Sequence, residues 1–232
     1  MGVIDMNALL STYYTKSIRL TPGGFSLFSA DNGKILREDY PNTQNVLLTK
    51  QAPAFFHFED AALQPVDVVV ATTPPMLVPN EIYDEAKARD YLRMQYDITH
   101  IGQHFSDPIR HYQALYFLNQ NEYDTINSMA CVPHFVSELS VLYRFLSEQG
   151  CPDAVMLSID DTFADVLVMR QNEPSLINRT TRMENVDLLY YTLNCVMQFG
   201  LDAPTLFVHY FSKPNRKLNE LLQQYHNHVV FI

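Results

Sequence analysis

The stretch that decides the fold is Ala154–Thr180, AVMLSIDDTFADVLVMRQNEPSLINRT. Val155, Leu157 and Ile159 alternate, the pattern of a half-buried strand. The polar turn Asp160-Asp161-Thr162 follows, then the apolar run Phe163–Met169, a polar break at Arg170–Pro174, and a short run at Leu176-Ile177. With turn residues at both reversals, this predicts a three-stranded meander.

Working outward, a fainter copy lies near the N-terminus. Ser17–Leu20, the turn Thr21–Gly24, Phe25–Ala30, the hairpin signal Asp31-Asn32-Gly33 and Lys34–Arg37 repeat the same order. Ile18 stands fifty residues before Val68 in the β-branched run Val66–Thr72, and Met156 stands fifty before Leu206. Each half then reads as three strands, a helical or uncertain segment, a strand, a helix and a strand. Ala114–Leu118 supplies the closing strand of the first half, after an insert at 96–112 that the second half lacks. The expectation is an α/β protein of two lobes, each a mixed five-stranded sheet with flanking helices. The first lobe covers residues 1–150, with a leader at 1–16, and the second covers 151–232, the joint falling at Cys151-Pro152.

Several helices follow from spacing. Asn80 is placed to cap a helix from Glu81 to about Met94, with acids early and bases late. Phe135, Leu139, Leu142 and Leu146 share one helical face that ends at Gly150. Thr181-x-x-Glu184 reads as a capping box opening a helix that buries Val186, Leu189, Tyr190, Leu193 and Met197, with Gly200 as its stop. Ser212 and Pro214 start another helix, with Leu218, Leu221, Leu222 and Tyr225 as its apolar face, and Val229–Ile232 closes as a strand. Residues 43–64 stay open: Gln44–Gln51 reads as helical, Phe55–Phe58 as extended.

Composition narrows the function. In 232 residues with 47% hydrophobic and 18% charged content, a folded protein with a sizeable core is expected. Net charge is −10 and the 16 basic residues are scattered, so neither nucleic acid nor an anionic membrane suits it as a partner. Cys131, Cys151 and Cys195 are odd in number and far apart, as in a cytoplasmic protein with reduced thiols. The N-terminus lacks the basic and apolar regions of a signal peptide.

The words SIRLTPGGFSLF at 17–28 and LVPNEIYD at 77–84, within the doubled strand order, resemble a Bacteroidetes domain-of-unknown-function family (three-eight-two-two). That resemblance, over most of the chain, implies a degenerate actin-like ATPase fold of the ribonuclease H-like type. It supplies no catalytic residues. Relatives of this fold commonly carry a further helix after the last strand, so the resemblance raises the expectation of a shortened chain. Active members of the superfamily place an Asp-x-Gly turn after the first strand of each half, where the acid positions metal and nucleotide and glycine lets N–H groups approach phosphate. Here the first turn, Thr21-Pro22-Gly23-Gly24, has glycines but no acid, and Pro22 lacks an N–H. The second, Asp160-Asp161-Thr162, has acids but no glycine. Where the superfamily's adenosine side carries a Gly-Gly turn, this chain has Ser212-Lys213-Pro214.

The candidate cofactor-binding residues are therefore Gly23, Gly24, Asp160, Asp161 and Thr162. Asp160 and Asp161, with Asp165 nearby, offer oxygen ligands for magnesium; equally, aspartate and glycine are ordinary turn residues. His100, His104 and His111 raise a zinc reading, weakened by Gly102 and by the lack of a nearby cysteine. No nucleophile elbow is present. The reading that results is a non-catalytic cytoplasmic protein with a protein-binding or scaffolding role, with no cofactor expected. Its binding face is sought in the insert 96–112 and the proline-rich passage Thr72–Pro79. The alternative is a small phosphotransferase using ATP and magnesium, and a third reading is self-association through Val229–Ile232.

Overall fold

Alternating apolar runs become strands wherever one face can be buried, and the two meanders do so in the same way. The computed structural model describes residues 16–31, 34–41, 64–129, 131–181, 184–211 and 213–232. The leader to residue 15, Asn32-Gly33, the segments Gln44–Gln51 and Phe55–Phe58, and Ser212 lie outside the described residues.

In the first meander, β1 (Lys16–Thr21), β2 (Gly24–Asp31) and β3 (Lys34–Pro41) pair antiparallel. Then β4 (Gln64–Val70) adds parallel to β1, and β8 (Cys131–Ser137) adds parallel to β4, giving the order β3-β2-β1-β4-β8. The second meander is β9 (Ala154–Ile159), β10 (Phe163–Arg170) and β11 (Glu173–Thr181). Its sheet is completed by the parallel strands β12 (Thr205–Tyr210) and β13 (Val229–Phe231), in the order β11-β10-β9-β12-β13. The two five-stranded mixed sheets expected from the sequence are thus both present, with one topology. Ile18 pairs with Val68 as its spacing implies; in the second sheet Leu206 pairs with Val155, and Met156 with Phe207, a slip of one residue.

One face of each sheet carries the main core. Ile18, Leu20, Leu27, Val66, Val68 and Val70 cluster in the first, and Val155, Leu157, Val166, Val168, Leu206 and Val208 in the second. Burying each such side chain contributes roughly 1.5–3 kcal/mol. The β10–β11 reversal is a two-residue turn in which Gln171 and Asn172 both take positive φ, the mirror-image geometry whose twist suits a hairpin.

By contacts the chain divides at Leu142 into two compact units.

The first half departs from expectation in its insert, which is larger than 96–112. Residues Met76–Pro79 (β5), Gln103–Ile109 (β6) and Tyr112–Leu118 (β7) form a separate antiparallel sheet, order β5-β7-β6, with short helices Ala88–Arg93 (α1) and Gln120–Asn127 (α2). The run Ala114–Leu118 therefore belongs to the insert, and Cys131–Ser137 is the fifth strand of the main sheet. A fully apolar run announces burial but does not say in which sheet. The helix expected from Glu81 starts later, with Asp84 capping a short 3-10 turn, Glu85–Lys87, ahead of α1. Asn80 is otherwise occupied: its N–H donates to the His111 carbonyl (2.8 Å) and its amide to the Arg110 carbonyl (2.9 Å). At Gly102 a Cβ would lie 2.4 Å from the Gln120 nitrogen, so only glycine permits that approach.

Helix α3 spans Glu138–Glu148, which leaves Phe135 in β8 and not on the helix. Helix α4 spans Asn185–Gln198 and α5 spans Arg216–Tyr225. The expected capping box does not form, because Thr181 is paired with Phe163 in β11 and Glu184 stands at the cap without a side-chain bond. Gly200, at φ 59°, does stop α4. Helix α4 buries Leu188, Leu189, Thr192 and Cys195 and packs the half-buried Leu193 against the same core, so Leu189 and Leu193 lie as expected while Val186, Tyr190 and Met197 are exposed. Helix α5 buries Leu218 and Leu222 and is capped by Asn215, whose side chain accepts from the Leu218 N–H (3.1 Å), while Tyr225 is exposed. Among the described residues no helix is long and apolar enough to cross a membrane.

Candidate functional site

The turn that follows the first strand of each unit is where the resemblance implies a phosphate grip in active relatives. In the first unit, β1 and β2 close around Pro22-Gly23, with Thr21 paired to Gly24. The Thr21 hydroxyl donates to the Gly24 carbonyl (3.1 Å), and Gly24 takes φ 140°, a conformation that excludes most side chains. Pro22 has no N–H to offer. The glycines therefore serve a tight reversal.

In the second unit, the Asp160 N–H donates to the Phe163 carbonyl (2.9 Å), and the Asp161 N–H donates to the Asp160 carboxylate (2.7 Å). Asp161 and Thr162 are exposed and Asp160 is half-buried. Asp165, the third acid of the magnesium reading, points to a different partner. Its two carboxylate oxygens accept from Arg179 at 2.7 and 2.6 Å, and the Arg179 guanidinium lies 3.8 Å from the centre of the Phe163 ring. Such a bidentate pair neutralises the charge a cation would need. Gly23 and Gly24 lie in one unit, and Asp160, Asp161 and Thr162 in the other.

The histidines of the insert are not gathered. His104 meets Glu85 (3.3 Å), His100 lies in the 3-10 turn Ile98–His100, and His111 stands at the β6–β7 reversal. Among the described residues no three His, Cys, Asp or Glu groups are placed to hold a metal ion. His209 is a core residue, edge-on to Phe211 at 4.3 Å. Burial pushes the Cys131 and Cys195 thiols upward, away from the thiolate form.

The polar groups that the structure does bring together lie in the first unit, and sequence reasoning passed over them. Arg19 on β1 and Glu138 at the start of α3 are fully buried and joined by two bonds, 2.7 and 3.2 Å. Asp67 on β4, also fully buried, meets the half-exposed His134 on β8 at 2.9 Å. Asp107 of the insert accepts from the Ser137 N–H and the Ser140 hydroxyl, both at 2.7 Å, and from the Tyr116 hydroxyl at 3.0 Å. Burial, aided by the Asp107 charge, drives the Tyr116 hydroxyl far above the usual tyrosine range. A signal for two of them existed: Arg19 in SIRL and Asp67 in VDVVV are lone charges inside strand patterns. Their partners, far along the chain, were not legible.

A family profile described as protein of unknown function (DUF3822) matches residues 5–229. The chain belongs to this family. Among solved structures, this DUF3822 chain is similar to a Bacteroides thetaiotaomicron protein with an actin-like ATPase fold and unknown function. Identity is 18%, the match covers 100% of this chain and 94% of that one, and the TM-score is 0.71. It is also similar to a PilM–PilN type IV pilus biogenesis complex, at 11% identity, 94% and 88% coverage and a TM-score of 0.55. No curated protein matches the chain. At these identities the likeness is one of fold, and the fold of the DUF3822 chain is the actin-like ATPase fold.

Proposed function

We propose that this DUF3822 chain is a non-catalytic cytoplasmic protein that keeps the actin-like frame and works by binding another protein. The observation that carries the reading is the state of the backbone donors at the two first-strand turns. Phosphate is held in such turns by several N–H groups converging on its oxygens. Here one donor is removed by Pro22, and those of Asp160 and Asp161 are engaged within their own turn. Two carboxylates in the second turn add repulsion for an anion. A phosphotransferase would need Asp160 or Asp161 to carry the metal without Asp165, which is engaged by Arg179.

A frame that keeps its sheets and adds an insert to one of them has gained surface. The insert supplies the partner face in this reading. Ile82 and Met94 are 62% and 79% exposed, and Tyr91 is tied to both, its hydroxyl donating to the Ile82 carbonyl and its own carbonyl accepting from the Met94 N–H (3.0 Å). Apolar groups clustered on a surface mark interaction sites more often than isolated ones do.

The test is affinity capture from a native lysate with the parent chain and with an Ile82→Ser/Met94→Gln variant. A companion captured in stoichiometric amount by the parent and lost by the variant is the expected result. Capture of the same companion by both proteins, or of none in repeated trials, would contradict it.

A further inference from the structure

A sheet edge is a row of backbone N–H and C=O groups, and folded proteins blunt the edges that stay exposed with charge, proline, bulges or shortness. Four strands end the two main sheets: β3, β8, β11 and β13. Strand β3 carries Lys34, Arg37, Glu38 and Asp39. Strand β8 holds Pro133, and its Ser137 N–H is taken by Asp107. Strand β13 has three residues. Strand β11, nine residues long, is blunted only at its hairpin end, by Glu173, Pro174 and the register shift opposite Val168 and Met169. From Leu176 to Thr181 it runs in regular register, with β-branched residues at Ile177, Thr180 and Thr181. The one charge in that stretch, Arg179, is matched within the sheet by Asp165 (2.6 Å). Among the described residues, β10 is the strand that pairs with β11, and its outer side meets none.

We propose that a second copy of the chain adds at this edge, its own β11 antiparallel to the first. The backbone selects a strand, since only an extended chain matches the spacing of the edge's donors and acceptors. Symmetry and charge select a second copy. A two-fold axis normal to the sheet keeps each side chain on its own face, so it crosses where a residue meets its own counterpart. Within Leu176–Thr181 the overlap is greatest with the axis at Asn178 or at Arg179. At Arg179 it would set two arginines opposite each other. At Asn178 it sets Asn178 against its counterpart, Ile177 against Arg179 and Leu176 against Thr180, and no like charges meet. An amide both donates and accepts, so Asn178 is complementary to itself. The pair closes on itself and leaves only the blunted edges outside, so assembly stops at two. The contact is about 20 Å long and ~10 Å wide, roughly 200 Å² per copy against the ~800 Å² of a stable dimer. The dimer is therefore reversible. It stands apart from the insert face, and either can fail without the other.

Sedimentation velocity of the whole chain tests this, from about 1 μM, where a monomer is expected, to about 100 μM, where the dimer is. Each chain carries a net charge of −10, so the runs are made at about 0.15 M salt, which screens distant charges. Asn178→Lys and Asn178→Glu are run alone and as an equal mixture. Asn178 is exposed, so both variants are expected to keep the parent's unfolding midpoint. Alone, each sets like charges across the axis and is expected to dimerise about fivefold more weakly; mixed, lysine meets glutamate and dimerisation returns. Should either variant be unstable, Asn178→Cys gives a second readout. Mild oxidation is expected to link its two copies, and to leave Thr180→Cys unlinked, because position 180 faces Leu176 and its own counterpart is out of reach. A parent that stays monomeric to about 100 μM would overturn the proposal. So would a mixture no more dimeric than its components, which would place a different strand, or a different register, at this edge.

Discussion

Replacing Arg19 with alanine is expected to destabilise the protein by about 3–5 kcal/mol. Arg19 and Glu138 are only 1% and 2% exposed, so neither charge can recover its hydration when its partner is lost. The loss is a large part of the roughly 5–15 kcal/mol that holds a typical domain folded. Glu138→Ala is expected to do the same from the other side. The double change Arg19→Met/Glu138→Leu removes both charges and fills the space, and most of the loss should return. Denaturant unfolding of the three variants checks this. A double variant no more stable than the single ones would show that the pair supplies more than charge compensation.

Asp107→Ala has the second largest expected effect, about 2–4 kcal/mol. It strips one acceptor from the Ser137 N–H, the Ser140 hydroxyl and the Tyr116 hydroxyl, and Tyr116 is fully buried. Ser137 immediately precedes α3, so the same change also loosens the helix's first turn and its tie to the insert. The site has a pH signature of its own. In the unfolded chain Tyr116 ionises near its ordinary value of 10, while in the fold its proton is held well above that. The native state thus keeps a proton that the unfolded state gives up, and stability falls as pH rises past about 10. Unfolding free energies measured across that window should fall less steeply in Tyr116→Phe. An unchanged slope in that variant would remove Tyr116 from the account.

The architecture was open to sequence reading because its signals are local. Val155, Leu157 and Ile159 alternate beside a turn, Phe163–Met169 follows, and the same order recurs at Ser17–Arg37; short range and repetition together specify two like sheets. What failed needed information from elsewhere in the chain. Ala114–Leu118 looks like any buried strand, and only its pairing with β5 and β6 assigns it to the insert. Helix α4 buries Leu189 as its spacing implies, but Val186, Tyr190 and Met197 fall outside, because apolar residues lie on more than one side of the helix and periodicity does not rank them. The turns Thr21–Gly24 and Asp160–Thr162 were found by their residue types. Whether their N–H groups are engaged is a matter of hydrogen bonds such as Asp161 to Asp160, which the sequence does not display. The buried charges of the first unit escaped because Arg19 and Glu138 are 119 residues apart.

The central claim is that the actin-like frame persists here without its hold on phosphate. Isothermal titration of the whole chain with ATP and magnesium tests it most directly, with Asp160→Ala and Asp161→Ala beside the parent. No binding heat is expected up to about 1 mM nucleotide, a ceiling that leaves less than ~4 kcal/mol of affinity. Micromolar binding by the parent that weakens in either aspartate variant would contradict the account and restore the ATP-dependent reading.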